Sequence, residues 1–295
     1  MVIFAGALSL SSHTARAQSM NELLEQLGVQ QLARDYVRPA VDAVGYSIKS
    51  GYVHSARVDT AFHIWVGIKG MATFIPDQDR EYTAKLPDYL VAAGYPAELT
   101  TATIVGGNGA LLQSSNTGEP DIQLPGGTGM QRSYMLMPQV SIGPLLGTDI
   151  ILRGLPAVTF HTDMGDVFFY GAALKHEITH FFEFPVDIAV VAGFQRFGLT
   201  DYIKGSSMNG MLLVGEDYGI VSFFGGIGYE SYNIEVGYNP VDGTYHPEAI
   251  SLEFKRRNLR FTAGGAVRIL PPLSLTGEYS FGEMNNLTVG LGISL

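Results

Sequence analysis

The sequence predicts an all-β fold: a transmembrane antiparallel β-barrel of about 12 strands (10–14), preceded by a short N-terminal helical segment. Three observations carry that prediction. From Ala61 onward apolar residues recur with a period of two, which sends successive side chains to opposite faces of a sheet. The more polar of the two faces is mostly Gly, Ser, Thr and Ala with sparse charge. A water-facing sheet would be heavily charged, whereas a lining of small polar groups suits a confined interior. Connections are also uneven: Gly143-Pro144-Leu145-Leu146-Gly147, Glu216-Asp217-Tyr218-Gly219 and Leu270-Pro271-Pro272-Leu273 are tight, while residues 106–133 and 239–248 are long and polar. Short turns at one end and longer loops at the other are how outer-membrane barrels are built.

Composition points the same way. Of 295 residues, 46% are apolar, 16% are charged and 36 are glycine; ordinary soluble domains are roughly 25% charged. The apolar content excludes disorder. The absence of cysteine excludes disulfides and thiolate metal sites. A net charge of -10 argues against a nucleic-acid partner, whose footprint would be basic. No run of roughly 18 apolar residues occurs, which excludes a spanning helix but not a spanning strand.

Residues Val2 to Leu10 form a short apolar stretch, and Ala15-Arg16-Ala17 supplies the small-x-small pattern read by a signal peptidase, so residues 1–17 are expected to be a signal peptide. No Lys or Arg precedes the apolar stretch. Next, Ser19-Met20-Asn21-Glu22 has the form of a capping box, with Leu23, Leu24, Leu27 and Leu32 at helical spacing behind it. Pro39 is expected to interrupt that helix, and Gly45 and Gly51 to loosen the chain beyond it. Residues 18–57 are therefore assigned to an N-terminal helix and a plug or periplasmic cap, and residues 58–295 to the barrel.

Within the barrel, Phe62, Ile64, Val66, Ile68, Ala72 and Phe74 share one face, and His63, Trp65, Gly67, Lys69, Met71 and Thr73 the other. Similar runs lie near residues 134–143, 148–156, 166–178, 186–198, 205–216, 221–238, 259–269, 274–281 and 287–295, with weaker candidates at 80–86 and 99–105. Aromatic pairs such as Phe168 with Tyr170 and Tyr279 with Phe281 end the apolar face, as expected at a lipid-water boundary. Lys255, Arg256 and Arg257 interrupt one run. An extension of the strand beyond the lipid, with a bulge, accounts for them, because a basic group on the lipid face costs roughly 2–4 kcal/mol at the midplane but little near the interface. A hairpin turn there is the alternative.

Chemical motifs are weaker. His176-Glu177-Ile178-Thr179-His180 matches the zinc-protease pattern H-E-x-x-H, but that chemistry needs a helix, and the alternation of residues 167–175 runs straight into the motif as a strand. On a strand the histidines would stand about 13 Å apart, too far to share an ion. Gly106-Gly107-Asn108-Gly109 is expected to be a flexible loop, since neither Gly-Lys-Ser nor Gly-Lys-Thr comes after it. Asp77, Asp79 and Glu81 lack the glycine of a calcium loop, so a solvated turn is expected. No catalytic residue, metal site or cofactor is predicted. The informative charges are those of inward parity: Lys69, Arg153, Lys175, Asp187, Glu230, Arg260, Arg268 and Glu278. Enclosed in a barrel, they must pair or be wetted. They could orient a solute, hold a plug by salt bridges, or simply neutralise one another as hydrated wall.

The segments Tyr46 to Pro76 (YSIKSGYVHSARVDTAFHIWVGIKGMATFIP) and Pro138 to Pro156 (PQVSIGPLLGTDIILRGLP), Lys175 with Pro185-Val186-Asp187-Ile188-Ala189-Val190, and Gly225-Gly226-Ile227-Gly228-Tyr229-Glu230-Ser231 resemble an uncharacterised Gram-negative outer-membrane barrel family. In layout the chain is similar to barrels that pass hydrophobic compounds or fatty acids, with an N-terminal segment closing the lumen. Such barrels usually end in an aromatic residue read by the barrel-insertion machinery, whereas this chain ends in Leu295. The resemblance implies an outer-membrane location in a Gram-negative bacterium, contact with outer-membrane lipid and assembly by that machinery; its motifs are structural and carry no activity over, and the expected function, passive passage of a small solute, hydrophobic compounds included, rests on the barrel reading and on fold-level analogy. A non-conducting structural or docking barrel is the alternative, and a barrel-embedded hydrolase the third.

Overall fold

The computed structural model describes residues 30–161, 165–199, 203–238 and 250–295. The signal peptide, the capping box at Ser19, Leu23, Leu24, Leu27 and the loop at 239–248 lie outside them. In chain order the elements are α1 (Gln30–Ile48), β1 (His63–Phe74), β2 (Glu81–Lys85), α2 (Asp88–Ala92), β3 (Glu98–Ala102), β4 (Leu111–Leu112), β5 (Ile122–Gln123), β6 (Arg132–Gly143), β7 (Thr148–His161), β8 (Gly165–Glu177), β9 (Asp187–Leu199), β10 (Ile203–Tyr218), β11 (Val221–Tyr238), β12 (Ile250–Leu270), β13 (Leu273–Phe281) and β14 (Asn286–Ser294).

β1 and β6 to β14 form a closed barrel of neighbouring strands. Antiparallel pairing of β1 with β14, from Trp65 opposite Ser294 to Thr73 opposite Asn286, joins the first strand to the last. Closure leaves no edge, and in hydrocarbon each unpaired backbone N–H or C=O would cost several kcal/mol. The barrel has ten strands rather than about twelve, the lower bound of the expected range. The two weak candidates at 80–86 and 99–105 account for the difference. They become β2 and β3, which pair only with each other. Each has five residues, too short for the roughly 9–11 that a membrane crossing requires.

The outer face carries Ile68 (54% exposed), Leu174 (52%), Leu259 (56%) and Leu291 (52%). Their neighbours of opposite parity, Lys69, Lys175, Arg260 and Gly290, face inward; the three charged ones are almost fully buried. An apolar exterior of this extent suits hydrocarbon rather than water. Phe168 and Tyr170 pack as one ring pair, and Tyr279 and Phe281 as another. β12 is a single strand, so the hairpin alternative at Lys255 fails. Its register with β11 is unbroken from Ile250 to Val267, which also removes the expected bulge at 254–259; the irregularity falls at Arg268 and Leu270, against β13. Pairing with β13 begins only at Phe261, so Lys255 and Arg257 sit on an extension beyond the neighbouring strand.

The chain divides into two compact units, 1–44 with 74–133, and 45–73 with 134–295. The first unit packs Leu32 of α1 with Ala84, Leu86, Leu90, Tyr95, Leu112 and Leu124. Burial there pushes the Tyr36 and Tyr82 phenols up to about 12. The Gly106 loop is fixed rather than flexible, because Gly127 N–H donates to Gly107 C=O and Gly129 N–H to Gly106 C=O. Asp77 to Arg80 form a single 3-10 turn closed by an Asp77–Arg80 ion pair. α1 does not stop at Pro39 but continues to Ile48. The proline forfeits one helical hydrogen bond and strains the preceding turn; burial of Tyr36, Val41, Ala43 and Tyr46 on either side holds the helix together across it.

Outward-facing Val289 lies at the middle of β14. Val289→Arg should lower the unfolding free energy in lipid vesicles by about 2–4 kcal/mol, and Lys255→Ala by much less, as read from urea titration of the folded barrel.

Candidate functional site in the lumen

The second unit contains, besides the barrel wall, the chain that leads into it. Residues 45–58 run through the lumen, and the wall binds them group by group. At the end carrying residues 282–285, Tyr46 hydroxyl donates to Glu283 Oε2 (3.2 Å) and Arg260 Nη2 donates to Tyr46 C=O (3.0 Å). α1 ends inside the barrel, where Arg153 Nη1 reaches Ile48 C=O (3.5 Å). Gly51 N–H then donates to Glu278 Oε1 (3.2 Å), Gln139 Nε2 to Tyr52 C=O (3.0 Å) and Lys69 Nζ to Val53 C=O (3.3 Å). At the end with the tight turns, Lys175 Nζ bonds Ser55 C=O (3.3 Å) and Arg57 C=O (2.7 Å), and Val58 N–H donates to Glu177 Oε2 (2.6 Å).

Two glycines make this path possible. A Cβ on Gly45 would stand 2.8 Å from the Tyr232 ring, so glycine lets the last turns of α1 lie against β11. Gly51 has φ +72°, and its Cβ would stand 2.6 Å from Thr288 Cγ2. Only glycine adopts that left-handed conformation without penalty, and there the helix gives way to extended chain.

Side chains complete the packing. Lys49 Nζ pairs with Glu230 Oε2 (2.7 Å), and Arg260 Nη1 with Glu230 Oε1 (2.9 Å), so one carboxylate bridges the segment and the wall. Arg153 stacks over the Tyr52 ring, and His54 stacks on Trp65. Ser55 hydroxyl donates to Asp217 (2.8 Å). Asp149 holds Lys175 Nζ (2.9 Å) and His63 Nε2 (3.4 Å). Among these polar groups, Tyr52, Val53 and Ala56 pack on Ile151, Ala173, Ala189, Val191, Met211, Leu213 and Phe224. The inner face therefore carries an apolar patch on β7 to β11, with Asp149 and Arg153 beside Ile151 and Lys175 beside Ala173, that a count of small polar residues does not reveal.

Of the eight charges of inward parity, Lys69, Arg153, Lys175, Glu230, Arg260 and Glu278 are buried around residues 46–58. Asp187 is half-buried at the start of β9, two residues beyond the level of Glu177 and within its electrostatic reach, and Arg268 is exposed near the end of β12; among the described residues neither makes a hydrogen bond to residues 46–58. Gln139, Asp149 and Glu177 were missed, although each has the inward parity of a named neighbour, Arg153 or Lys175. Lys49, Tyr52 and the other lumenal residues carry no periodic signal. The H-E-x-x-H residues lie where β8 ends: His176 Nδ1 meets Thr148 Oγ1 (2.9 Å), Glu177 binds Val58, and His180 sits in the following 3-10 turn, 3.5 Å from Glu177.

Over residues 1–295 the sequence matches the family described as Family of unknown function (DUF6588). No curated protein matches it. Among solved structures, the attachment invasion locus protein Ail of Yersinia pestis, in complex with the heparin analogue sucrose octasulfate, is 8% identical. That alignment covers 80% of this chain and 100% of Ail, with a TM-score of 0.29. The translocator domain of autotransporter NalP from Neisseria meningitidis is 10% identical over 89% of this chain and 99% of its own, TM-score 0.25. For OccK2 (OpdF) of Pseudomonas aeruginosa the values are 8%, 81% and 99%, TM-score 0.16.

Removing the bridging carboxylate takes the anionic charge of Glu230 from the buried Lys49 and Arg260, which retain neutral acceptors in Asn258 Oδ1 and Tyr46 C=O. Glu230→Ala should destabilise the folded barrel by about 3–5 kcal/mol. Arg268→Ala, at an exposed position, should change stability by under about 0.5 kcal/mol in the same urea titration.

Proposed function

The chain belongs to that family, and from the geometry of its lumen we propose an outer-membrane barrel of a Gram-negative bacterium that passes a small solute when residues 45–58 move aside. One observation carries this proposal: the wall meets the main chain of the segment with ionisable and hydrogen-bonding groups, beside an apolar patch under Tyr52, Val53 and Ala56. About eight strands already enclose only enough space for their own side chains, so ten leave room for one additional chain. With that chain withdrawn, Lys69, Arg153, Lys175, Arg260 and Glu278 would line a passage that water can enter. The patch of Ile151, Val191, Leu213 and Phe224 adds apolar contact, so the favoured solute has both polar and apolar parts. Export by the N-terminal signal, assembly by the barrel-insertion machinery and contact with outer-membrane lipid belong to the same proposal.

A non-conducting structural or docking barrel is the second candidate, favoured by the number of main-chain groups that anchor the segment. Planar-bilayer recordings separate the two. The wild-type chain should be mostly closed. Gly51→Ala adds a left-handed penalty of about 1–2 kcal/mol and a collision with Thr288, and should raise the open fraction about ten-fold or more. Absence of current from both proteins would leave the structural barrel. No enzymatic role is proposed for His176, Glu177 and His180; the purified protein should hold no stoichiometric zinc, and a His176→Ala variant should behave as wild type in the same recordings.

A further inference from the structure

We infer that the lumen is a binding site for a polypeptide, which is recognised mainly through its backbone. This deepens the proposed function by naming the class of solute, and rests on the proposal that residues 45–58 can leave. Eight main-chain groups of the segment are bound by wall side chains: the carbonyls of Tyr46 and Ile48 in the last turn of α1, and, in the non-helical chain after it, the carbonyls of Tyr52, Val53, Ser55 and Arg57 and the N–H groups of Gly51 and Val58. The partners Lys69, Gln139, Arg153, Lys175, Glu177, Arg260 and Glu278 come from six different strands. Cations and an amide meet carbonyls, and carboxylates meet amides, so each wall charge has the sign its backbone partner requires.

Those groups are the same in every peptide. Peptide sites that work this way draw affinity from main-chain hydrogen bonds and selectivity from a few side-chain pockets. Here the pockets are the apolar patch under Tyr52, Val53 and Ala56, the Glu230 carboxylate that meets Lys49, and the narrow place at Gly51. A lumen that only had to be sealed would be sealed with less desolvation cost by apolar side chains, since buried charges lose more hydration than their pairing returns. The chemistry therefore fits a short peptide with a helical turn before the narrow place and non-helical chain after it, with a small residue at the narrow place and an apolar residue shortly after it.

The resident segment competes as a tethered ligand at high effective concentration, so the test removes the tether after folding. A protease site is inserted between the exposed Asp59 and Thr60, the full chain is folded into lipid vesicles, and the site is then cut. A fluorescent peptide of residues 45–59 should bind the cut barrel saturably and the uncut barrel at least ten-fold more weakly. Unlabelled peptides altered at Ser47, Ser55 and Arg57 should compete within about ten-fold of the native sequence. Ester links replacing the amides that carry the N–H groups of Gly51 and Val58 should weaken competition ten-fold or more. Uncut Gly51→Ala barrels provide the second measurement and should also take up the labelled peptide. Competition by the native sequence alone, or no uptake by either protein, overturns the inference. If Gly51→Ala still passes current in that case, the passage proposal stands; peptide uptake without current has the opposite meaning.

Discussion

Every backbone polar group withdrawn from water must find a partner, and two separate parts of this molecule are solved by that one constraint. In the wall, the solution is closure of β14 onto β1, which converts ten strands into a sheet without edges. In the lumen the same demand falls on a single chain with no neighbouring strand to satisfy it. Wall side chains supply the missing partners instead: four cationic groups and an amide for carbonyls, and two carboxylates for N–H groups.

This explains why inward charges occur in an otherwise lightly charged barrel. Lys69 donates at once to Val53 C=O and to Thr276 Oγ1 (2.8 Å), and Arg153 to Ile48 C=O and to Gln139 Oε1 (2.8 Å), so the groups that touch the segment are themselves held by the wall. Buried ion pairs give little net stability against an apolar alternative. Their value lies in fixing one conformation of the segment, because each donor or acceptor on the wall is aimed at one main-chain group.

Much of the fold is legible in the sequence because a period of two reports which face a side chain occupies. That same period places Lys69, Arg153, Lys175, Glu230, Arg260 and Glu278 on the inner wall. It reports nothing about height along the barrel, and so Asp187 and Arg268 share the parity of the others while sitting at the tight-turn end. Alternation is also indifferent to length: five residues at 81–85 and 98–102 look like barrel strands until their pairing is seen. Glu177 was obscured by the pattern of which it is the second letter. The segment at 45–58 is irregular chain, held by contacts with residues more than 80 positions away in most cases, and no local pattern announces such a partner.

The segment is anchored at both ends, by α1 on one side and by β1 on the other. The segment and β1 are one continuous stretch of chain, so the same polypeptide supplies part of the wall and the filling of the lumen. The pairing of Trp65 with Ser294 and of Thr73 with Asn286 therefore encloses residues that stand immediately before β1 in the same chain, and a change at the seam is a change in the wall that holds them.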